Sequence, residues 1–298
     1  MDPARAIMEV TFWGARGSYP VPGKGTLLFG GNTACHSVRV GGRLIVFDAG
    51  TGSISLGRQL VKASEAVNIA LFLSHNHLDH TAGLLYFKPT YQKTTSMHIF
   101  GPADRRGNCK KTLDDLSLPP AHPVPFDNMG MAYACRTVGD GDRIVWRPGD
   151  EKPRVMDAQE TAGPEDVLVK VMFNRRHPVD GVLNFRIEYG GKSYVYATDV
   201  EGDEETGDPD LAGFAAGADL LAHDCQYTSE NYFARHRGWG HSTPAMAVKT
   251  AQMAGVGRLV LIHHEPEYDD SRLAAMEAET KTLFPASFFA REGQSVCL

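Results

Sequence analysis

The chain of 298 residues has few of the features that mark a specialised class of protein. Its five cysteines include no Cys-x-x-Cys pair, and their odd number fits poorly with a disulfide framework, so we expect reduced thiols. No apolar run approaches the roughly 18 residues of a membrane span. Residues 1–6 also lack the basic and apolar segments of a secretory leader. These absences favour a cytoplasmic protein that does not use a membrane.

Charge and sequence complexity also give little sign of a specialised partner. The formal net charge of −6 argues against a protein whose main task is to coat nucleic acid. No linker, low-complexity segment or repeat divides the chain, and the acidic run at residues 201–208 is expected to be a solvated loop. With 42% hydrophobic residues the chain can bury a large core, so residues 1–298 are predicted to form a single domain.

Short apolar runs alternate with turn residues and helical patterns in both halves of the chain, which indicates a layered α/β protein. Glycine pairs at 41–42 and 190–191 predict two-residue hairpins between strands. A helix is predicted to begin after Thr243 and to end at Gly255. Residues 101–163 are rich in proline and glycine, and their hydrophobic periodicity is too weak to predict strands or helices. The remaining predictions are strands at 9–13, 37–40, 43–47, 67–73, 97–100, 167–173, 183–189, 192–197, 219–222 and 258–262, and helices at 54–62 and 271–283, the last with Ser271 as its N-cap.

The most informative segment follows the predicted buried strand at 67–73. It reads Ser-His-Asn-His-Leu-Asp-His and contains the candidate ligands His75, His77, Asp79 and His80. Imidazole and carboxylate groups are ligands that Zn²⁺, Mn²⁺ and Fe²⁺ accept. Three histidines and one aspartate so close together can hardly serve one tetrahedral ion that keeps an open position, so two neighbouring ions fit better. The segment therefore predicts a metal site at the carboxyl end of a strand, where sites of α/β proteins commonly lie.

This segment resembles the defining His-x-His-x-Asp-His motif of metallo-β-lactamase-fold hydrolases, close to their ribonuclease Z and phosphodiesterase branch. The resemblance covers most of the chain and implies a four-layer αββα sandwich. Further motifs similar to those of that branch are Phe47-Asp48-Ala49-Gly50-Thr51-Gly52, Arg176-His177-Pro178, Tyr196-Ala197-Thr198-Asp199, Gly240-His241-Ser242-Thr243 and Leu261-Ile262-His263-His264.

The resemblance also implies a set of ligands for two ions. Asp199 would bridge the two ions. The remaining ligands would be His75, His77 and His177 for one ion, and Asp79, His80 and His263 for the other. Independently of the resemblance, Asp199 and His263 each follow a strand-like run, so their loops could converge with the histidine cluster at one sheet edge.

Three assignments within this set stay open at this point. His122 competes with His177 for the third histidine position. His264 competes with His263, because neighbouring side chains of a strand point in opposite directions; the motif match favours His263. Asp48 is interpreted as a carboxylate that holds a ligand histidine by its other ring nitrogen rather than as a ligand itself.

Two further features concern the surroundings of the predicted metals. In the resembled branch, a residue equivalent to His241 interacts with the phosphate or leaving group, with an acidic partner upstream. Asp224 occupies that upstream position, where ribonuclease Z has glutamate. The glycine-containing segment 12–20 and the segment around Asn32 resemble an amino-terminal loop of this branch, so Arg16 or Asn32 is a candidate for the border of the pocket.

The resemblance implies metal-dependent hydrolysis of a phosphodiester by a metal-bound hydroxide, with Asp79 as ligand and orienting group and with His241 and Asp224 assisting the departing oxygen. A small nucleotide or cyclic nucleotide is the preferred substrate. The alternatives are a tRNA 3′-end endonuclease like ribonuclease Z, a thioester or lactone hydrolase on the same fold, and a catalytically silent metal-containing binding module. RNA ranks second because residues after His80 offer only two short basic pairs, Arg105-Arg106 and Lys110-Lys111.

The expected cofactors are two divalent metal ions, with zinc preferred over manganese and iron. The expected partner is a small phosphodiester or nucleotide, with RNA as a weaker candidate. Homodimers are common in the resembled branch, although no segment of this sequence identifies an interface.

Overall fold

The computed structural model describes residues 7–63, 66–105 and 107–298. The predictions that rest on residues 1–6 and on Arg106 therefore lie outside the described residues. Within the described ranges, most chain segments belong to two β-sheets and the helices that cover them.

The first sheet contains seven strands in the described part of the chain. Their order across the sheet is β15 (Ser295–Cys297), β1 (Met8–Gly14), β2 (Cys35–Val40), β3 (Arg43–Phe47), β4 (Val67–Phe72), β5 (Thr95–Gly101) and β6 (Ala132–Thr137). β3, β4, β5 and β6 are parallel to one another, so the loops that follow these strands lie at one edge of the sheet.

The second sheet contains eight strands among the described residues. Their order is β14 (Ser287–Phe289), β13 (Leu259–Ile262), β12 (Leu220–Asp224), β11 (Lys192–Ala197), β10 (Val182–Tyr189), β9 (Val167–Asn174), β7 (Arg143–Trp146) and β8 (Arg154–Val155). β11, β12 and β13 are parallel, which again brings the loops after three strands to one edge.

Helices cover the outer face of each sheet. The helices are α1 (Gly52–Lys62), α2 (Leu78–Thr81), α3 (Cys109–Leu116), α4 (Pro209–Phe214), α5 (Ser229–Asn231), α6 (Pro244–Ala254) and α7 (Asp270–Leu283). Short 3₁₀ turns lie at Lys24–Thr26, Ala82–Tyr86, Lys88–Tyr91 and Phe126–Asn128, and a π-helical turn lies at Tyr232–His236. Buried side chains of α1 and α3 pack on the first sheet, and those of α4, α6 and α7 pack on the second.

The largest apolar core lies between the two sheets. Phe47 of the first sheet is nearly parallel to two rings of the second sheet, with ring centroids 5.4 Å from Phe185 and 5.3 Å from Tyr196. Such aromatic contacts add to the free energy gained by burial. With helices outside both sheets, the architecture is the predicted αββα sandwich.

The local predictions hold where the sequence pattern is strong. The hairpin glycines at 41–42 and 190–191 all have positive φ angles of 53° to 76°, which a two-residue hairpin of this type requires. Gly255 ends α6 in the left-handed conformation, as predicted. All five cysteines are free, as expected.

Three local predictions need correction. Asp269, and not Ser271, caps α7, because its side chain accepts a hydrogen bond from the backbone N–H of Arg272. The acidic run at 201–208 is not uniformly solvated, since the buried Asp208 caps α4. Residues 101–163, which lacked a clear pattern, contain α3 and the strands β6, β7 and β8. No helix in the described part of the chain is both long and apolar enough to cross a membrane.

Candidate metal centre

The parallel strands bring the predicted ligand loops together from both sheets. The loop after β4 contributes the His75 to His80 segment, and the turns after β11 and β13 contribute Asp199 and His263. His177 comes from the loop between β9 and β10. All seven predicted metal ligands therefore lie in one cluster, which we divide into two halves that share Asp199.

The first half, called the histidine-rich half, consists of His75, His77 and His177. Nε2 of His177 lies 3.4 Å from Nδ1 of His77. One carboxylate oxygen of Asp199, Oδ1, lies 3.6 Å from Nε2 of His75 and 3.8 Å from Nε2 of His177. Burial lowers the pKa of each of these three histidines below its ordinary value. At neutral pH their rings are neutral, the form in which imidazole binds a metal.

The second half, called the carboxylate-rich half, consists of Asp79, His80 and His263. Oδ2 of Asp79 lies 3.2 Å from Nε2 of both histidines, and the two Nε2 atoms are 3.4 Å apart. Oδ2 of Asp199 lies 3.2 Å from Nε2 of His80 and 3.3 Å from Nε2 of His263. The two oxygens of Asp199 thus face different halves, which is the placement of a bridging carboxylate.

The spacing of these donor atoms fits a metal ion better than a hydrogen-bond network. Two donors that are each about 2.0–2.2 Å from a tetrahedral ion lie about 3.3–3.6 Å apart, and the donor pairs above are 3.2 to 3.8 Å apart. Nε2 of His75 is buried and has no hydrogen-bond partner, although it points at the cluster. A buried polar atom without a partner is costly unless it binds something, and a divalent cation would satisfy it.

The charges of the carboxylate-rich half also fit a cation. Burial opposes protonation of His80, but the carboxylates of Asp79 and Asp199 outweigh it and raise the pKa of His80 well above its ordinary value. Burial is likewise outweighed at His263, whose pKa the same carboxylates raise to about 9. Despite burial, the two histidines keep the pKa of Asp79 well below its usual range. This half therefore concentrates negative charge that divalent ions would balance.

Asp48 holds His80 from behind, as the sequence analysis interpreted. It is fully buried, and its Oδ2 lies 2.7 Å from Nδ1 of His80. The same oxygen accepts a hydrogen bond from the hydroxyl of Tyr196 at 2.8 Å and from Oγ of Ser74 at 2.7 Å. Its Oδ1 accepts a hydrogen bond from the backbone N–H of Ser74. This network fixes the ring so that Nε2 faces the cluster.

Backbone strain is concentrated at the same place. Among the described residues, four non-glycine residues have positive φ angles, between 53° and 62°: Ser18, Asp48, Asp199 and His263. The left-handed region costs energy for a residue with a Cβ atom, so such positions often mark functional sites. Asp199 and His263 are predicted ligands, Asp48 holds His80, and the N–H of Ser18 donates to Oδ2 of Asp79 at 2.8 Å.

The structure also separates the competing histidines. His264 points away from the cluster, packs against the Phe289 ring and has its Nε2 3.1 Å from the carbonyl oxygen of Ala290. His122 lies beside Tyr91, outside the cluster, with Nδ1 2.9 Å from the carbonyl oxygen of Val124. His263 and His177 are therefore the members of these pairs that face the other predicted ligands.

His241 and Asp224 lie next to the cluster and are paired. Nδ1 of His241 is 2.9 Å from Oδ2 of Asp224, and the His241 ring stacks on His263 with centroids 4.8 Å apart. Oδ1 of Asp224 accepts a hydrogen bond from the N–H of Ser242 at 2.7 Å. The carboxylate thus sets the ring orientation of His241 and leaves Nε2 free. His241 also lies near enough to Asp199 and His263 to be an alternative donor to a metal ion.

The prediction that Arg16 or Asn32 borders the pocket is wrong. Arg16 is fully buried and donates hydrogen bonds to the carbonyl oxygens of Gly30, Glu265 and Tyr268. Asn32 instead donates to the carboxylate of Glu292. Both residues tie loops together behind the site, because backbone carbonyls and a carboxylate from distant segments surround them.

The neighbour of Arg16 has the role that the sequence analysis missed. A Cβ atom on Gly17 would lie 2.4 Å from two ring atoms of His263, so only glycine fits there. Together with the N–H of Ser18, this places the amino-terminal loop directly against the carboxylate-rich half. The glycines of this loop carried the signal for a close backbone approach, whereas the prediction rested on the charged side chain of Arg16.

A cavity of about 510 Å³ opens over the cluster. It exposes ligands of both halves together with His241. Its lining residues are Ser18, His77, Asp79, His177, Pro178, Val179, Asp199, Gly238, Trp239, His241 and His263. A neighbouring cavity of about 320 Å³ extends from the histidine-rich half towards Asp104 and Arg105.

The two facing sheets and the histidine and aspartate cluster at their common edge define a metal-dependent hydrolase of the metallo-β-lactamase fold. A sequence profile of the β-lactamase superfamily domain matches residues 43–264. The chain therefore belongs to the β-lactamase superfamily.

Relatives and solved structures agree with this family. Ribonuclease Z of Picrophilus torridus is 26% identical, over 96% of this chain and 94% of that protein. The crystal structure of the metallo-β-lactamase fold protein YhfI from Bacillus subtilis superimposes with a TM-score of 0.66 at 22% identity, covering 97% of this chain and 98% of that one. Human tRNase Z, short form, gives a TM-score of 0.62 at 20% identity, covering 97% and 98%.

Proposed function

We propose that this protein hydrolyses phosphodiester bonds, that it uses two divalent metal ions, and that RNA is its substrate. The observation that carries the proposal is the position of Asp199, whose two oxygens face two separate sets of donor atoms. In this proposal, residues 1–298 form a single catalytic domain.

The two halves would hold one ion each, with Asp199 shared between them. The preferred ion is zinc, and manganese or iron would also suit nitrogen and oxygen donors. When bound, two such ions supply an activated water and neutralise the negative charge that develops on the phosphoryl group. Asp79 has a second task in this proposal, since its carboxylate lines the cavity, where it would orient the attacking water.

His241 would protonate the departing oxygen. Its Nδ1 faces Asp224, so the free Nε2 is the atom that would hold the proton for transfer. Asp224 stabilises the protonated ring and fixes its direction through its second hydrogen bond to Ser242. The ring lies in the same cavity as the ligands, which is the position that a leaving-group acid needs.

The relatives support RNA over the small nucleotide that the sequence analysis preferred. Ribonucleases Z from several organisms match this chain along most of their length, for example 97% of this chain and 96% of the protein from Synechococcus sp. WH7803. The substitution of aspartate for glutamate at position 224 keeps the carboxylate within hydrogen-bond distance of His241, so it does not remove the pair. We therefore propose cleavage of RNA ahead of hydrolysis of a small nucleotide.

A small phosphodiester remains the second candidate, and the surface after His80 favours it. The basic residues Lys110 and Lys111 of this segment form ion pairs with Asp114 and Asp115. These pairs reduce the positive charge that is available to phosphates of a long RNA. A homodimer, which is common in the resembled branch, stays an expectation.

Hydrolysis by metal-stripped protein, before and after addition of Zn²⁺ or Mn²⁺, tests the proposal. The substrates are bis(4-nitrophenyl) phosphate, a transfer RNA precursor with a 3′ trailer, and 2′,3′-cyclic AMP. We expect metal-dependent cleavage of the precursor at its 3′ end, loss of all turnover in Asp79→Ala, and unchanged turnover in the matched control Asp210→Ala on the exposed first turn of α4.

Other outcomes select other functions. Turnover of cyclic AMP without cleavage of the precursor would favour the small-nucleotide function. A thioester and a lactone are assayed in parallel, and turnover of either without turnover of any phosphodiester would identify the protein as a carbonyl hydrolase. Two bound ions without turnover of any substrate would favour the binding module and contradict the proposal.

A further inference from the structure

Two exposed aromatic side chains lie close to the cluster of predicted ligands. They belong to the segment 232–240, which begins with the π-helical turn at Tyr232–His236. Trp239 is 57% exposed and lines the cavity over the cluster, whereas Phe233 is 51% exposed and lies outside that lining. The Trp239 ring thus shares one cavity with predicted metal ligands, where an amphipathic indole can contact a bound molecule. Trp239 is therefore the unusual residue of this segment.

The indole packs against a neighbouring imidazole. Its ring lies edge to face against His236, with centroids 4.9 Å apart and an interplanar angle of 89°. His236 in turn stacks on the buried Tyr227 at 4.1 Å and 9°, and Tyr227 contacts the ring of His241. A continuous row of rings thus connects the exposed indole to His241.

The backbone around Trp239 is also held in place. Gly238 and Gly240 both have positive φ angles, 82° and 88°, so a sharp turn presents the side chain between them. The carboxylate of Glu201 accepts hydrogen bonds from the N–H groups of both glycines, at 2.7 and 2.8 Å. A Cβ atom on Gly240 would lie 2.3 Å from Nδ1 of His177, so the turn packs directly on the histidine-rich half.

Positive charge accompanies the turn. Arg235 and Arg237 are both exposed on this segment. An aromatic platform with neighbouring arginines is the arrangement by which proteins bind single nucleotides and unpaired nucleic-acid strands. The cavity of about 510 Å³ has room for about one nucleotide between the Trp239 indole and the cluster of predicted ligands.

From this arrangement we propose that Trp239 is a specificity-determining residue that stacks on the nucleobase next to the scissile phosphate. This inference rests on the proposed phosphodiesterase function and adds the substrate class, a nucleotide with an unpaired base. The indole lies two residues from His241, so a base stacked there and a phosphate at the metal cluster belong to the same nucleotide or to adjacent ones.

A comparison of two substrates with the same leaving group tests the inference. Thymidine 5′-(4-nitrophenyl phosphate) has a base, and methyl 4-nitrophenyl phosphate has none. Trp239→Ala is expected to lower kcat/KM about 5- to 100-fold for the first substrate only, which is the range for loss of one base-stacking contact. Trp239→Phe should restore most of the loss, and Phe233→Ala, which removes an exposed ring outside the cavity, should match the parent protein.

Binding of a dinucleotide to the metal-stripped protein, which should not turn it over, gives an independent measurement. Trp13 and Trp146 are the other tryptophans, and Trp146 is buried, so stacking at Trp239 should dominate fluorescence quenching by adenylyl-(3′→5′)-adenosine. We expect saturable quenching in the parent protein and in Phe233→Ala, and its loss in Trp239→Phe.

The outcomes separate the two proposals. Quenching without hydrolysis would uphold the base contact and contradict the phosphodiesterase. An equal fall in turnover of both substrates in Trp239→Ala, or quenching that persists in Trp239→Phe, would overturn the base contact while leaving the hydrolysis proposal intact.

Discussion

The two halves of the candidate metal centre use the same kinds of side chain in different surroundings. In the histidine-rich half, burial lowers the pKa values of three histidines, and their rings are ready to bind a cation. In the carboxylate-rich half, Asp79 and Asp199 raise the pKa values of His80 and His263. The histidines of the first half are already neutral, whereas His80 and His263 of the second half must also release protons when an ion binds. Burial decides the charge of the buried histidines in the first half and neighbouring carboxylates decide it in the second.

The largest expected effect comes from the residue that the halves share. Asp199→Ala should lower the phosphodiesterase rate about 10³-fold or more, because it removes a donor from both halves and several kcal/mol of charge stabilisation. Metal analysis by mass spectrometry should find fewer than two ions per chain. Asp210→Ala serves as the control. Two ions at full occupancy in Asp199→Ala would show that the halves bind independently.

The second largest effect distinguishes two roles of His241, proton donor or metal ligand of one half. If it is a proton donor, His241→Ala should slow cleavage of an RNA precursor about 10²- to 10⁴-fold, since the leaving nucleoside oxygen needs a proton. The same variant should cleave bis(4-nitrophenyl) phosphate nearly as fast as the parent, because nitrophenolate leaves without one. Metal content should be unchanged. A loss of one ion would instead identify His241 as a ligand of the carboxylate-rich half.

A third change acts on one half alone. Asp48→Asn should weaken binding of one ion about 10- to 100-fold, because the amide no longer supplies a charged acceptor to Nδ1 of His80. The ion of the histidine-rich half should keep its affinity. Competition with a chromogenic chelator measures both constants. Equal weakening of both ions would show that Asp48 supports the whole cluster and not one half.

The smallest effect concerns the core behind the carboxylate-rich half, where His36 lies fully buried with Nδ1 2.8 Å from the hydroxyl of Tyr194. Burial lowers the pKa of His36 to about 3. Between that pKa and the unfolded value of about 6.5, the unfolded chain binds a proton that the folded chain does not, so stability falls as the pH falls below about 6.5. His36 should contribute a loss of about 1.4 kcal/mol between pH 7.5 and pH 5.5.

Urea unfolding of the chelator-treated protein at the two pH values measures this loss. His36→Gln removes the titrating ring, so its free energy of unfolding should fall by about 1.4 kcal/mol less than that of the parent over the same interval. Identical decreases in the two proteins would show that His36 is already charged, or exposed, in the folded state.

The predictions from the sequence were more accurate for the candidate metal ligands than for the residues and strands that surround them. The His75 to His80 segment, Asp199 and His263 could be predicted because they follow apolar, β-prone runs, and four of these residues are within six positions of one another. His177 was predicted from the resemblance alone, since it lies in a loop beyond the end of its strand. Which of His263 and His264 faces the cluster could not be derived from strand alternation, because His263 has a φ of 62° and has left the strand conformation.

Errors arose where distant segments decide the outcome. The partners of Arg16 include backbone carbonyls about 250 positions away, at Glu265 and Tyr268, which no local pattern reveals. β6 was missed because it is an edge strand with few fully buried side chains, so it lacks a continuous apolar pattern. The N-cap of α7 was misplaced because Asp269 and Ser271 are both good capping residues within three positions.

The left-handed residues at the metal centre have a consequence for the life of the protein in a cell. Four residues with positive φ angles and several closely spaced carboxylates lower the free energy of unfolding of a chain without bound ions. Ions that bind only the folded state would offset those costs by mass action. Metal scarcity would therefore reduce the amount of this protein as well as its activity, because unloaded chains would unfold more often and be degraded sooner.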